Sequence, residues 1–272
     1  MSDRSEPLAF SFRRVNAMVL RYSYLLRSSW PRLLELIYWP AVQMLMWGFL
    51  QLYIAGNAGF FARAGGTFIG AVLLWDILFR GQLGFSISFL EEMWARNLAN
   101  LMISPLRPIE FVTALMIMSV IRLAIGMGPV SLLAIAFFGF NLYGLGLALA
   151  AFFVNLILTS WAIGILVSGL VLRNGLGAES LAWTFMFLLL PLTCVYYPVS
   201  TLPGWLQVVA WALPPTYVFE GMRELLIHQV FRADLMLRAL ALNAIFFAVA
   251  VAGLVALLDS ARRQGSLLQT GE

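Results

Sequence analysis

The chain has 272 residues, of which 62% are hydrophobic and 11% charged, with a mean hydropathy of +0.90 and a formal net charge of +4. Soluble domains are about 45–50% apolar and about 25% charged, so this composition excludes a soluble globular protein and indicates an integral membrane protein. All 17 basic residues are arginine and no basic run is interleaved with aromatic residues, which argues against a nucleic-acid partner and for anionic headgroups. A single cysteine, Cys194, excludes an internal disulfide.

Residues 8–30 predict a basic amphipathic helix. Its apolar side chains recur at helical spacing and its arginines fall mainly on the opposite face. The apolar face consists of Val15, Met18, Val19, Tyr22, Leu25 and Leu26. A helix of this kind lies in the headgroup plane of a membrane. The alternative, an ordinary surface helix, is disfavoured because the chain offers little soluble protein for it to cover.

The rest of the chain predicts an all-α polytopic fold in one transmembrane domain that spans residues 1–272. A transmembrane helix needs about 20 residues, and six apolar stretches meet that demand. The predicted spans are 34–55, 67–90, 109–137, 143–171, 181–197 and 236–258. The third and fourth form a tight antiparallel hairpin, since only residues 139–142 separate them. Arginines concentrate in the amino-terminal segment, after the second span, at Arg173 and in the tail, which predicts that both termini are cytoplasmic.

The segment 91–106 is predicted to be a short cytosolic helix between the second and third spans. Glu91 and Glu92 at its start suit the positive end of the helix dipole, and Ser104-Pro105 ends it. Two interpretations are open at this point. The helix is either a docking element for a cytosolic ATPase or a solvated connection between spans.

The return between the fifth and sixth spans, residues 199–234, predicts two short helices. Residues 202–213 are too apolar for a free loop, yet a helix of that length measures about 18 Å and cannot cross a bilayer. Pro203 opens the first helix, Pro214-Pro215 stops it, and Thr216 caps the second. The segment is either a re-entrant hairpin that forms an outer lid over an exit path, or an interfacial hairpin lying flat.

Three charged residues lie within the predicted spans. Asp76 and Arg80 are four residues apart on one face of the second span, so they can pair. A charge at the middle of a bilayer costs at least about 2.5–3.5 kcal/mol. These two residues and Arg122 therefore mark either a polar strip along a translocation path or a structural pair within the bundle. Glu110 is expected near the headgroups.

No motif in the sequence predicts an enzyme. The chain has no glycine-rich loop that ends in lysine, so it does not bind ATP through a P-loop. His228 is the only histidine, which makes a histidine metal site or Ser-His catalysis a poor interpretation. We therefore expect no cofactor on this chain.

Two stretches resemble type-2 ATP-binding-cassette (ABC) export permeases. The first is Phe89-Leu90-Glu91-Glu92, Arg96-Asn97-Leu98, Ser104-Pro105-Leu106 and Glu110, similar to the family's segment after the second span. The second is Tyr197-Pro198, Leu202-Pro203-Gly204-Trp205-Leu206, Leu213-Pro214-Pro215-Thr216-Tyr217 and Glu220-Gly221-Met222-Arg223, similar to the stretch before the last span. With span count and loop lengths, the resemblance covers nearly the whole chain.

The resemblance implies a six-span permease in the bacterial plasma membrane that forms a dimer, expected to be of identical subunits, and docks a cytosolic ABC ATPase, which carries ATP and Mg. It implies export of a lipid-linked, glycan or amphipathic substrate. The implied docking residues are Glu91, Glu92, Arg96, Asn97 and Arg14, with residues 173–180 as a second, smaller contact. The implied external gate comprises Pro203, Trp205, Pro214, Pro215, Glu220 and Arg223.

The competing interpretation is an ion- or proton-coupled secondary transporter that uses Asp76, Arg80 and Arg122. Such folds often carry interrupted helices in both halves. This sequence shows one broken segment, near the carboxyl end, which argues against that class. A polytopic membrane enzyme is disfavoured by the lack of a metal or carboxylate cluster.

Overall fold

The computed structural model describes residues 10–57 and 67–264, and within those ranges it contains helices and turns but no strand. The helices are α1 Phe12–Arg27, α2 Trp30–Asn57, α3 Thr67–Trp94, α4 Leu98–Ile103, α5 Pro108–Phe138, α6 Leu147–Asn174, α7 Leu181–Leu192, α8 Gly204–Trp211, α9 Pro214–His228 and α10 Ala233–Gln264. The predicted loop around Arg63 and the last eight residues of the tail lie outside the described residues.

Five helices are long and apolar enough to cross a membrane, and they coincide with five of the six predicted spans. They are Trp30–Ile54, Thr67–Trp94, Pro108–Phe138, Leu147–Asn174 and Ala233–Leu257. The predicted span 181–197 is different, because its helix α7 has only 12 residues. At 1.5 Å per residue α7 measures about 18 Å, less than the apolar core of about 30 Å. The chain after it is irregular, with Cys194 in the left-handed region at φ 55°.

Helix α3 is the centre of the bundle. In its most apolar window 83% of the residues are buried, and it packs between α5 and α6. Small residues permit this close packing: a Cβ added at Gly84 would lie 3.1 Å from the Ser119 Cα of α5. On the other side, the Ser160 hydroxyl of α6 donates to the Leu78 carbonyl at 2.8 Å. The α5–α6 connection is short, as predicted, but α5 packs mainly on α3, and α6 packs mainly on α10 and α3.

A buried polar cluster joins α10 to α6. The Asn243 amide donates to the carbonyl and side-chain oxygens of Asn155, at 2.9 and 3.1 Å. The Thr159 hydroxyl donates to the Asn243 side-chain oxygen at 2.6 Å. Hydrogen bonds of this kind hold transmembrane helices together because lipid offers a polar group no other partner. The cluster therefore fixes the register of α10 on the bundle.

The bundle has two ends, which we define by α3. The hairpin face is the end where α3 begins, since Gly70 lies beside Met222 and Leu226 of α9. The lever face is the end where α3 stops and α4 follows, and there α1 also lies. With 28 residues in α3, the two faces are about 42 Å apart.

Helix α1 buries four of the six residues of the predicted apolar face, but not in the predicted surroundings. Val15, Met18, Tyr22 and Leu26 are buried, and they pack on protein, chiefly α5, with α2 beside it. The ends of the long helices thus supply the surface that the sequence appeared to lack. That the remaining face lies in the headgroup plane stays a prediction.

Candidate functional site

The segment after α3 departs from its predicted form. Glu91 and Glu92 occupy the last turn of α3 rather than the start of a new helix, and α4 spans only Leu98–Ile103. The break falls at Arg96, whose φ of 53° ends the helical run. The predicted single helix over 91–106 is therefore wrong, and the two carboxylates lie at the negative end of a helix dipole. Such a position needs cations nearby, and arginines from three other helices supply them.

Glu92 binds α1 and the turn before α4. Its side chain is 1% exposed, and it accepts from Arg21 Nη1 at 2.5 Å and from Asn97 Nδ2 at 2.7 Å. The Asn97 backbone N–H also donates to the Glu92 carbonyl at 3.0 Å. The hydrogen bond with Glu92 raises the pKa of Arg21. Both Glu92 and Asn97, predicted to contact an ATPase, thus brace the helix break.

Glu91 binds α5 and α2. It accepts from Arg122 Nη2 at 2.9 Å and from Arg32 Nη1 at 3.2 Å. The Arg122 and Glu91 side chains are only 6% and 9% exposed. Arg122 therefore serves as a buried partner of the α3 end. That Arg122 also lines a translocation path with Asp76 and Arg80 stays a prediction.

Glu110 is the third bound carboxylate of the lever face. Its side chain is fully buried and accepts four hydrogen bonds: from Ser11 N (2.8 Å), Arg14 Nε (2.8 Å), Arg14 Nη2 (2.6 Å) and Arg107 N (3.0 Å). The bond from Arg107 closes the first turn of α5, as in a capping box. Hydrogen bonding to Glu110 also raises the pKa of Arg14. The signal for this cap, a glutamate three residues after Arg107 with Pro108 at the first helical position, is present in the sequence.

The exposed part of the lever face differs in charge from these buried glutamates. Trp94 is 50% and Ile103 86% exposed, and Arg96 lies exposed between them. The Trp94 indole N–H donates to Glu179 Oε2 at 3.0 Å, which joins the α3–α4 turn to the α6–α7 turn with its exposed Arg173. We name the exposed side chains of Trp94, Arg96, Asn100, Ile103 and Arg173 the lever surface.

Asp76 and Arg80 lie within α3, as predicted. Asp76 Oδ1 and Arg80 Nε are 3.8 Å apart, too far for a hydrogen bond. Both Asp76 oxygens and Arg80 Nε are buried without a hydrogen-bond partner within the described structure. The Tyr196 side chain lies within electrostatic range of the Asp76 carboxylate. The pair is therefore polar, buried and incompletely satisfied.

On the hairpin face, Glu220 and Arg223 hold the segment after α7 against α9. Glu220 Oε1 accepts from the Val199 N–H at 2.7 Å and lies 3.0 Å from Arg223 Nη2. Arg223 Nη1 donates to the carbonyls of Cys194 and Val195, at 2.9 and 3.2 Å. The structure thus brings these two predicted gate residues together.

The four other predicted gate residues divide between surface and interior. Pro203 and Trp205 are exposed at the start of α8, with Trp205 at 72%. Pro214 and Pro215 are buried and begin α9. Thr216 therefore lies inside that helix rather than capping it, and its hydroxyl has no hydrogen-bond partner. That this hairpin enters the membrane stays a prediction.

The five long apolar helices define a multi-pass membrane protein. A family model described as ABC-2 type transporter matches residues 23–227, and the chain belongs to this family. The predicted resemblance is confirmed. The chain is thus the transmembrane permease subunit of an ABC transporter, and the family works with a cytosolic ABC ATPase in a partner chain. No curated protein matches the chain.

Proposed function

We propose that this chain is the permease of an ATP-driven exporter, acting in the bacterial plasma membrane as a pair of identical subunits with a cytosolic ATPase. The lever surface carries the proposal, because it offers a place where another chain can act on the bundle. The expected substrate is lipid-linked, glycan or amphipathic. ATP and Mg belong to the ATPase, and the permease contributes the path and the docking surface.

The lever surface has the composition of a docking site. Interfaces are dominated by a few buried aromatic, arginine and aliphatic anchors, and Trp94, Arg96 and Ile103 stand exposed together. On the cytosolic side of the membrane, only contact with another chain would bury these three side chains. The short helix α4 is thus the preferred point of contact, with the α6–α7 turn as the second, smaller one.

The charge of this surface predicts the charge of the partner. Glu91, Glu92 and Glu110 are each bound by an arginine of the same chain, so they are not available to the ATPase. Exposed arginines of the described lever face are Arg13, Arg27, Arg32, Arg96 and Arg173, of which Arg32 is bound to Glu91, against exposed Glu35 and Glu179. We therefore infer that the ATPase presents carboxylates to the arginines of the lever surface, Arg96 and Arg173. This reverses the expectation that Glu91 and Glu92 would provide the contact.

The arginine–glutamate pairs also give the docking surface a way to move the spans. Glu91 links the end of α3 to α2 and α5, and Glu92 links it to α1. A displacement of α4 therefore acts on four helices rather than on one loop. ATP-driven closure can drive such a change only if the ATPase binds two permease states with different affinity.

A sixth crossing of the membrane is supported by the two ends of the α7 segment. Before α7, Glu179 bonds Trp94 at the lever face. After it, the carbonyls of Cys194 and Val195 bond Arg223 of α9 at the hairpin face. The short helix and the irregular stretch behind it thus connect the two faces. Six crossings place both termini on the lever face, which its arginines assign to the cytoplasm.

The hairpin face is then external, and we propose that α8 and α9 form the lid of the exit path. Glu220 and Arg223 tie this lid to the end of α7, so lid and crossing move as one unit. Asp76 and Arg80 are the proposed polar point of the path, because their unsatisfied groups can bind water or a polar substrate group. Arg122 is left to its structural role with Glu91.

The test is co-purification of the ATPase in mild detergent. Wild-type permease should retain it, and Arg96→Glu with Arg173→Glu should lose most of it, because both changes oppose an acidic partner. Arg232→Glu, an exposed arginine on the hairpin face, is the matched control and should retain it. Retention by the double variant would refute the lever surface as the dock. No ATPase with folded wild-type protein would refute the proposed function.

A further inference from the structure

A cavity of about 230 Å³ lies directly beneath α4. Its roof is formed by Leu98 and Leu101, the inward side chains of α4. Its walls come from four of the long helices, α3, α5, α6 and α10, through side chains such as Phe89, Val112 and Leu254. All lining side chains but one are apolar. The space is therefore suited to a hydrocarbon rather than to water, which needs several polar partners.

The depth of the cavity places it within one leaflet of a bilayer. Phe89 is five residues and Ser168 six residues from the lever-face ends of α3 and α6, which corresponds to about 8–9 Å along a helix. Half of an apolar core of about 30 Å is about 15 Å. Because α3 has 28 residues and measures about 42 Å, it exceeds this core by about 6 Å at each end when centred. The cavity then begins about 2–3 Å inside the apolar core on the lever face, at the level of the lipid esters and the first carbons of the acyl chains.

The two helices that flank the cavity have largely exposed outer sides. Only 11% of the α10 window and 39% of the α5 window are buried, compared with 83% for α3. Helices α3 and α6 form the floor between these flanking helices. The cavity is thus a groove between two spans with exposed outer sides, and α4 closes it at its end.

One polar group stands in this apolar lining. Ser168 is 4% exposed, and its Oγ is buried with no hydrogen-bond partner among residues 10–57 and 67–264. An unpaired buried hydroxyl costs free energy, and it is an available donor for an ester oxygen. A lipid acyl chain with its ester is an occupant that matches both the apolar walls and this single hydroxyl.

We propose that the cavity beneath α4 is a binding site for one acyl chain of a phospholipid from the leaflet at the lever face. The occupied cavity supports Leu98 and Leu101 from below and so fixes the height of α4. Lipid binding itself is independent of the proposed function, whereas an effect on ATPase coupling rests on it. A site of this kind makes the position of the docking helix depend on the surrounding membrane.

Photolabelling in nanodiscs tests the proposal. The discs contain phosphatidylethanolamine and phosphatidylglycerol with a trace of phospholipid that carries a diazirine in its acyl chain, and labelled residues are mapped by mass spectrometry. We expect label concentrated on the cavity residues of α3, α4 and α6, which ordinary surface lipid does not reach. Label spread evenly over the outer surfaces of α2 and α10 would overturn the proposal.

Variants at the cavity make the test specific. Ser168→Phe fills the cavity and should abolish its labelling, whereas Ser168→Ala keeps the space and should retain it. Val112→Trp blocks the cavity from α5 and serves if Ser168→Phe does not fold. Val249→Phe, on the 62% exposed outer side of α10, is the control of similar size and should leave the labelling unchanged. Cavity label that persists in folded filled variants, or cavity residues crosslinked to a second copy of the chain, would refute lipid as the occupant.

Discussion

Replacing Glu110 by glutamine is expected to release α1 from the bundle. Each oxygen of this carboxylate accepts two hydrogen bonds, one from Arg14 and one from a backbone N–H. An amide has one oxygen and one NH2 group, so in either orientation two donors lose their acceptor. A hydrogen bond to a charged group contributes about 1.5–3 kcal/mol. Arg14 is partly exposed, so we take the lower value, which gives a loss of about 3 kcal/mol.

Hydrogen–deuterium exchange of peptides from residues 12–27 measures this loss. A change of about 3 kcal/mol raises the population of the opened α1 about a hundredfold, so its amides should lose protection by that factor while those of α6 keep theirs. Glu179→Gln is the matched control, because Glu179 is exposed and accepts a bond from Trp94 on the same face. Equal α1 protection in Glu110→Gln and wild type would refute the reasoning.

Three further changes test the packing, each by thermal unfolding in detergent. Arg122→Met leaves the Glu91 carboxylate with only the exposed Arg32 as its cation and should destabilise by about 3 kcal/mol, the lower end for a broken buried pair. Adding Glu91→Gln should recover much of this, and no recovery would contradict the pairing. Asn243→Leu should cost about 1 kcal/mol, and an unchanged transition would show that its bonds to α6 contribute nothing. Gly126→Ala would place a Cβ 2.7 Å from a backbone oxygen of α2, whereas Gly128→Ala meets open space. Only the first should lower the transition temperature, and equal shifts would argue against that contact.

The sequence was sufficient for the long helices but not for the end of α3. Residues 95–97 include no glycine or proline, so the local sequence does not predict a helix break there. The structure ends the helix with Arg96 at a positive φ, and the bonds from Asn97 to Glu92 hold that turn. Prediction assigned Glu91 and Glu92 to the wrong helix for this reason. The consequence for function is large. Because Glu91 and Glu92 are bound by arginines of the same chain, the exposed charge of the lever face is mainly positive.

The ion pairs of the lever face were also beyond local analysis. Glu110, Glu92 and Glu91 bind arginines that are 96, 71 and 31 residues away in the chain. By contrast, the Asp76–Arg80 pair lies within one helix turn, and spacing alone predicted it. Helix α7 is an intermediate case. The sequence predicts its apolar composition correctly, but it does not predict that the helix ends at Leu192.

The sequence by itself determined that this protein is a helical membrane protein of the ABC-2 type, where most of its spans lie, and that residues 91–108 lie between two of them. These properties depend on hydrophobicity summed over neighbouring residues. Any sufficiently long apolar run is stable in lipid as a helix, because a helix satisfies its backbone hydrogen bonds internally. Only the tertiary structure decided which carboxylates are buried, which arginines remain exposed and that a cavity lies beneath α4. Those features depend on distant segments brought into contact, since a charge in a low-dielectric interior is stable only beside its partner.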